Sequence, residues 1–164
     1  MLSSGHLHLA LNHLPILGLP LAAVTAVWGL ATNNRGTLRA GLALVVVCAA
    51  ATLVVMGTGN GASDDYDGAD FIDSDGYAWM TEHGERAFQA AAASYAAGVV
   101  ALAGFVVSFF SERFSRGFGW LAIAAAAVAA ALSVWTADAG GKIRRPDFRD
   151  KPAASPSSPN HESP

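Results

Sequence analysis

Histidines are concentrated near the start of the chain, where the segment His-Leu-His-Leu-Ala-Leu-Asn-His-Leu-Pro contains His6, His8 and His13. A fourth, His83, immediately precedes a later apolar segment. Imidazole is a usual axial ligand of haem iron and the commonest side-chain ligand of transition metals. Because both groups of histidines border apolar segments, the sequence raises the possibility that they converge on one cofactor.

Long apolar segments are the elements that must position these histidines. Of the 164 residues, 52% are apolar and 14% are charged, whereas a soluble domain has about 25% charged residues. A helix needs about 20 apolar residues to cross a bilayer. Four segments meet this length, at about residues 9–31, 40–58, 87–110 and 117–137. The sequence therefore predicts an all-α, integral membrane four-helix bundle over residues 1–150, in which no internal repeat is evident.

The connections between these segments differ in length and charge. The first and third are short and each carries two arginines, whereas the second, residues 59–86, is long and acidic. Residues 151–164 are rich in Pro and Ser, which predicts a disordered tail. By the positive-inside rule, the short connections face the cytoplasm of a bacterial inner (plasma) membrane, and the acidic loop and both termini face the outer, periplasmic side. The basic residues that follow the fourth segment count against this orientation.

Four spans bring the polar residues of several segments to one membrane face. The opening histidines precede the first span, His83 precedes the third, and residues 138–145 follow the fourth. Ionisable residues at such positions indicate a functional site by default. The sequence thus predicts a histidine-rich site at this face, whichever side of the membrane it occupies.

Haem b bound for electron transfer is the leading hypothesis for this site. Two histidines from different helices can hold a haem within a bundle. His13 and His83 are the predicted pair, with His6 and His8 in reserve. Basic residues would bind the haem propionates, and glycines would let the backbone approach the cofactor. These additional predicted cofactor-binding residues are Lys142, Arg144, Arg145, Gly140 and Gly141.

Three alternatives remain open at this stage. The first is a Zn or Cu ion, with a ligand set drawn from His6, His8, His13, His83 and Asp138. The second is a proton or redox relay to a partner subunit. The third is a non-catalytic accessory subunit of a larger membrane complex, in which the histidines are ordinary residues of the headgroup region.

Other motifs restrict the classes of partner. The acidic loop lacks an EF-hand, because Gly76 or Gly84 falls where the pattern requires Glu. We therefore expect a solvated loop whose charge could attract a basic, small soluble electron carrier. The other expected partner is a larger respiratory or redox membrane complex. There is no basic stripe suited to nucleic acid, and no nucleophile–base motif indicates an enzyme.

Three short motifs resemble those of a group of small bacterial four-helix membrane proteins of unknown function. They are His6-x-His8, Asn12-His13-x-Pro15 and the pair Gly140-Gly141 after the last span. The likeness covers about residues 5–148. It implies a four-helix membrane fold and implies no particular activity.

Overall fold

Helices account for all the regular structure in the part of the chain that is described. A computed structural model describes residues 3–66 and 69–149. Its elements, in chain order, are α1 (Ser4–Leu11), α2 (His13–Ala31), α3 (Arg35–Tyr66), α4 (Ser74–Val107), α5 (Glu112–Arg144) and a final 3-10 turn (Pro146–Phe148). The prediction of an all-α bundle built on four long helical segments is confirmed. With α1 and α2 taken together, all four segments are long and apolar enough to cross a membrane.

Two helical hairpins form the bundle. The first consists of α1, α2 and α3, and the second of α4 and α5. The hairpins join side by side, because α3 packs against α4 and α2 packs against α5. Successive long helices alternate in direction, so α2 and α4 run parallel to each other, as do α3 and α5. The amino-terminal ends of α1 and α4 therefore lie at the same end of the bundle.

The two hairpins bury equivalent positions, which reveals a two-fold repeat. In α3 and α5, the same number of residues separates each of three buried pairs. The pairs are Val45 and Ala126, Cys48 and Ala129, and Thr52 and Ser133. In α2 and α4, a different but again constant number of residues separates three buried pairs. The pairs are Ala22 and Ala97, Ala26 and Ala101, and Gly29 and Gly104. The residue types are the same in the three pairs from α2 and α4 but differ in the three pairs from α3 and α5, and the two intervals are unequal. The repeat is therefore not evident in the sequence.

Alanines make up about half of the core, beside leucines such as Leu19 and Leu42, and many large apolar residues lie on the outside. Ala22, Ala26, Ala97 and Ala126 are at most 1% exposed. The exposed residues include Leu17, Leu21, Val24, Val99 and Leu121, each more than half exposed. A soluble bundle buries its large apolar side chains, whereas helices in lipid pack through small residues and leave large apolar ones outward.

Helices occupy most of the segment that was predicted to be an acidic loop. Residues 59–86 were expected to be a connection, but α3 continues to Tyr66 and α4 begins at Ser74. Asp73 caps α4, since its carboxylate accepts a hydrogen bond from the Gly76 amide at 2.7 Å. The first helix also starts earlier than the predicted span, at Ser4, and it breaks at Asn12. The predicted tail, residues 151–164, lies outside the described residues.

Arg149 joins the end of α5 to the start of α4. Its guanidinium donates to both Asp73 carboxylate oxygens at 2.8 and 2.9 Å. It also donates to the carbonyl oxygens of Lys142 and Ile143 in the last turn of α5. The Arg149 side chain is 7% exposed. These bonds close the bundle at the histidine end, and the hydrogen bonds from Arg149 and from the Gly76 amide hold the pKa of Asp73 below its ordinary value.

We expect this contact to make stability depend on pH in the acid range. Because the pKa of Asp73 is lower in the folded state, its contribution is complete above the unfolded-state pKa of about 3.9 and is lost as pH falls below it. Arg149→Gln should therefore lower the melting temperature in detergent at pH 6, and the difference from the wild type should shrink below pH 4. The control is Arg144→Gln, because Arg144 stacks on Phe71 and has no ion pair among the described residues. A pH-independent difference for Arg149→Gln would contradict the assignment.

Candidate functional site

His8 and His83 face each other between the two hairpins. His8 lies on α1 and His83 near the start of α4. Their ring centroids are 6.2 Å apart and their ring planes are inclined at 87°. Both side chains are partly buried. The fold therefore brings together two imidazoles that are far apart in sequence.

Each of these rings is oriented by a backbone carbonyl group of the adjacent helix. Nδ1 of His8 lies 3.1 Å from the Val55 carbonyl oxygen, and Nδ1 of His83 lies 2.9 Å from that of Thr136. Since a carbonyl oxygen only accepts hydrogen bonds, each Nδ1 carries the proton. In the neutral imidazole the lone pair is then on Nε2. Histidines that bind metals are typically held in this way, with the distal nitrogen available to the metal.

A glycine on the adjacent helix makes room for each ring. A Cβ atom added to Gly59 would lie 3.0 Å from Cε1 and 3.1 Å from Nδ1 of His8. A Cβ atom added to Gly140 would lie 3.1 Å from the same two atoms of His83. In both hairpins this glycine is one helical turn after the residue whose carbonyl accepts the Nδ1 proton. The same ring–glycine–carbonyl arrangement thus occurs twice, at equivalent positions of the repeat.

Two buried polar atoms near the histidine pair have no hydrogen-bond partner among the described residues. They are Oδ1 of Asn12, one turn after His8, and Nε1 of Trp79, one turn before His83. Trp79 is 9% exposed. Leaving a buried donor or acceptor unpaired costs about 1–3 kcal/mol. The surroundings of the pair therefore include one acceptor and one donor that residues 3–66 and 69–149 leave unsatisfied.

Arg86 and Lys142 lie beside His83, in a charged cluster. Arg86 donates to Glu82 at 2.7 Å and lies 3.6 Å from an oxygen of Asp138. Lys142 donates to the same Asp138 oxygen at 2.8 Å. The two cations lie over the Trp79 ring, at 5.8 Å for Arg86 and 4.6 Å for Lys142. Sequence reasoning missed Arg86 because it fell within the predicted acidic loop.

The other predicted histidines are not brought to this pair. His13 is exposed, and its Nδ1 lies 3.0 Å from the Leu9 carbonyl oxygen one turn earlier in the chain. His6 is also exposed, and its Nδ1 lies 2.8 Å from the Ser3 hydroxyl that caps α1. The structure therefore places His8 beside His83, whereas the sequence had predicted His13 as the partner of His83. Asn12 keeps helical backbone angles and its amide donates to the His8 carbonyl oxygen at 3.0 Å, so α1 and α2 are nearly continuous. Because His8 and His13 are five residues apart, they point in directions about 140° apart around this helix.

Of the remaining predicted residues, some lie beside the His8–His83 pair and others lie at the surface. Gly140 supports His83, and Lys142 belongs to the adjacent cluster. A Cβ atom on Gly141 would approach Phe148 at 3.6 Å, an ordinary contact. Arg145 binds both oxygens of Asp147, a bond that lowers the pKa of Asp147 and raises that of Arg145. Arg145 is thus directed toward Asp147 and away from the imidazoles.

The described residues contain no group of three or more His, Cys, Asp or Glu side chains placed to hold a metal ion. The predicted set of three histidines from the first segment, His83 and Asp138 is therefore not assembled as a single cluster. Zinc sites usually have three or four protein ligands, whereas haem iron needs at most two because the porphyrin supplies four nitrogens. The His8–His83 pair supplies two imidazoles.

Comparisons with known proteins give no match for this chain. No protein-family model, no curated protein and no solved structure matches it.

Proposed function

We propose that this chain is an integral membrane protein that binds one haem b between His8 and His83 and transfers electrons through it. The observation that carries the proposal is the pair of imidazoles from opposite hairpins, each with Nδ1 bonded to a carbonyl group and Nε2 free. When bound, haem supplies a one-electron couple between ferric and ferrous iron. The protein would supply the two axial ligands and fix their orientation.

The separation of the two rings supports axial ligation of a single iron. Metal–imidazole bonds are about 2.0–2.1 Å long, so two imidazoles on opposite sides of one metal have their centroids about 6 Å apart. The observed separation is 6.2 Å. The pair thus needs little rearrangement of the ring centres to hold a metal between them.

Arg86 and Lys142 are the proposed partners of the haem propionates. Their side chains are 11% and 15% exposed and meet at Asp138. Arg86 follows His83 in α4, and Lys142 follows Gly140 in α5. Both cations can bind a carboxylate, and Arg can do so through two parallel hydrogen bonds. The unpaired Nε1–H of Trp79 is a further donor in the same cluster. This assignment keeps Lys142 from the sequence prediction and replaces Arg144 and Arg145 with Arg86.

Membrane insertion is supported by the distribution of residue sizes across the bundle. Large apolar side chains lie on the outside and alanines in the core, as expected for helices that pack in lipid. We place the protein in a bacterial inner membrane, with the His8–His83 end on the outer side, because the arginines of the opposite end favour the cytoplasm. The electron partner would be a larger redox membrane complex or a small soluble carrier.

A reduced-minus-oxidised visible spectrum of the detergent-purified protein, with metal analysis of the same sample, tests the proposal. Low-spin haem b with two histidine ligands is expected to give a sharp α band near about 560 nm. Bound Zn or Cu without haem would instead favour a metal-ion protein. Folded protein from haem-replete cells that contains neither cofactor would overturn the proposal in favour of an accessory subunit.

Gly59 and Gly140 provide a more specific prediction of the ring geometry. Alanine at either position would place its Cβ atom 3.0–3.1 Å from Cε1 and Nδ1 of an imidazole. The ring would have to move, and its Nδ1 hydrogen bond would weaken. Changes to such supporting contacts typically cost 10–100-fold in metal affinity. We therefore expect Gly59→Ala and Gly140→Ala to weaken haemin binding by about that factor in titrations of the apoprotein.

Gly57→Ala and Gly84→Ala are the matched controls for this prediction. These glycines lie close to Gly59 and His83 in sequence, but an added Cβ atom meets no atom within 4 Å. Haemin affinity close to that of the wild type is expected for both. Equal losses in all four variants would show that the effect is not specific to the two rings.

A further inference from the structure

The end of the bundle opposite the histidine pair is strongly basic. It comprises the turn between α2 and α3, the turn between α4 and α5, and the first residues of α3 and α5. Its charged residues are Arg35, Arg39, Glu112, Arg113 and Arg116. Four cations therefore face one carboxylate, and Glu112 already pairs with Arg35.

A groove at this end is lined by polar groups from both hairpins. Arg35 comes from the start of α3, and Ser115 and Arg116 from the start of α5. Ser115 is 4% exposed, and its hydroxyl forms no hydrogen bond with any described residue. The Arg116 guanidinium donates to the side-chain oxygen of Asn33, which also lines the groove. The groove thus contains two cations, the Glu112 carboxylate that pairs with Arg35, and the hydroxyl of a nearly buried serine.

The amino terminus of α5 adds further donors. Ser111 occupies the cap position but forms no side-chain capping hydrogen bond. The first amide groups of a helix have no acceptor within the helix, and the helix dipole favours an anion there. Glu112, the first residue of α5, lines the groove, so its amide is the helix-terminal donor that lies there, whereas the Ser115 amide already donates to the Ser111 carbonyl oxygen. Such a combination suits a phosphate group.

Exposed aromatic side chains indicate which phosphate-containing molecules would lie near the groove. Trp28, Phe110, Phe114 and Trp120 lie near this end and are more than half exposed. Aromatic residues of this kind are enriched at the level of lipid headgroups. A headgroup phosphate would therefore lie at about the same depth as the groove.

We propose that this groove binds the headgroup phosphate of an anionic phospholipid, through Arg35, Arg116 and Ser115. Bound lipid would hold this end at the negatively charged cytoplasmic leaflet. The histidine pair would then be on the outer side. The proposal depends on insertion in a membrane but not on haem binding.

Native mass spectrometry of the detergent-purified chain with phosphatidylglycerol tests this proposal. The wild type should retain phosphatidylglycerol in preference to phosphatidylcholine. Arg116→Gln and Ser115→Ala should each bind phosphatidylglycerol more weakly, by about tenfold for the arginine, because a charged hydrogen bond is lost. Arg113→Gln is the matched control, because Arg113 is exposed and does not line the groove.

Two results would overturn the proposal. If Arg113→Gln loses as much affinity as Arg116→Gln, binding depends on overall charge and not on the groove. If inorganic phosphate at low millimolar concentration displaces the lipid, the groove binds a soluble phosphate. Ser115→Ala removes only one oxygen atom, so it keeps the test valid if Arg116→Gln fails to fold, as judged by its melting temperature.

Discussion

Replacing His8 or His83 with alanine is expected to abolish the sharp low-spin α band of the reduced protein, whereas His13→Ala is expected to retain it. The reason is that the structure pairs His8 with His83, with ring centroids 6.2 Å apart, and leaves His13 exposed beside the Leu9 carbonyl group. Loss of one axial ligand leaves a haem that is high-spin or released. The measurement is the visible spectrum of each variant after purification under identical conditions.

Added imidazole separates loss of a ligand from loss of the fold. In His8→Ala the missing ring leaves space beside Gly59, so free imidazole should restore part of the low-spin band. His6→Ala is a second control, because His6 is exposed and contacts the helix cap at Ser3. A spectrum that depends on His13 and not on His8 would contradict the assignment made from the structure.

Gly41→Ala is expected to lower the free energy of unfolding by about 1–3 kcal/mol, the usual cost of overpacking a core. A Cβ atom at Gly41 would lie 2.5 Å from the backbone nitrogen and 2.7 Å from the Cα atom of Ala26. Because these are backbone atoms of α2, the added carbon can be accommodated only if α2 and α3 move apart. Denaturation of the purified protein in mixed micelles measures the effect.

Gly117→Ala is the matched control for Gly41→Ala. Gly117 also lies within a long helix, but an added Cβ atom meets nothing within 4 Å. Alanine is more favourable than glycine in a helix by about 1 kcal/mol, so this variant should be as stable as the wild type or more stable. If Gly41→Ala matched Gly117→Ala in stability, the close packing of α2 and α3 would be contradicted.

The fold class could be predicted from sequence because it depends on the lengths of apolar segments. Four runs of that length with few charges leave helices as the simplest solution. The helix ends were harder to predict. The segment rich in Gly and Asp after Thr58 has weak helical propensity, yet α3 continues to Tyr66. Its glycines allow α1 to pack closely, as Gly59 does for His8 and Gly61 for Ser4.

The face that carries the site could also be predicted, but the individual partner of His83 could not. His8 and His13 are five residues apart, which corresponds to about 140° around a continuous helix. Which of them faces His83 depends on how α1 is rotated as it packs against α3, which is a tertiary feature. The two carbonyl acceptors, Val55 and Thr136, carry no signal in their side chains.

The repeat of the two hairpins was hidden for a related reason. Equivalent positions of α3 and α5 are alike in burial but differ in residue type, as with Cys48 and Ala129. Residue type is kept in α2 and α4, as with Ala26 and Ala101, and in the pair of glycines under the histidine rings, Gly59 and Gly140. The interval between these glycines is longer than the interval between His8 and His83, so no ungapped alignment of the two hairpins superposes both pairs.

Electron paramagnetic resonance of the ferric, haem-loaded protein tests the central claim most directly. Ring planes inclined at 87° predict two nearly perpendicular axial imidazoles, and this arrangement gives a strongly anisotropic low-spin signal. The same signal should be absent from His8→Ala and His83→Ala and present in His13→Ala. A high-spin ferric signal from the wild type, or folded protein that takes up no haem iron, would contradict the claim that His8 and His83 bind haem together.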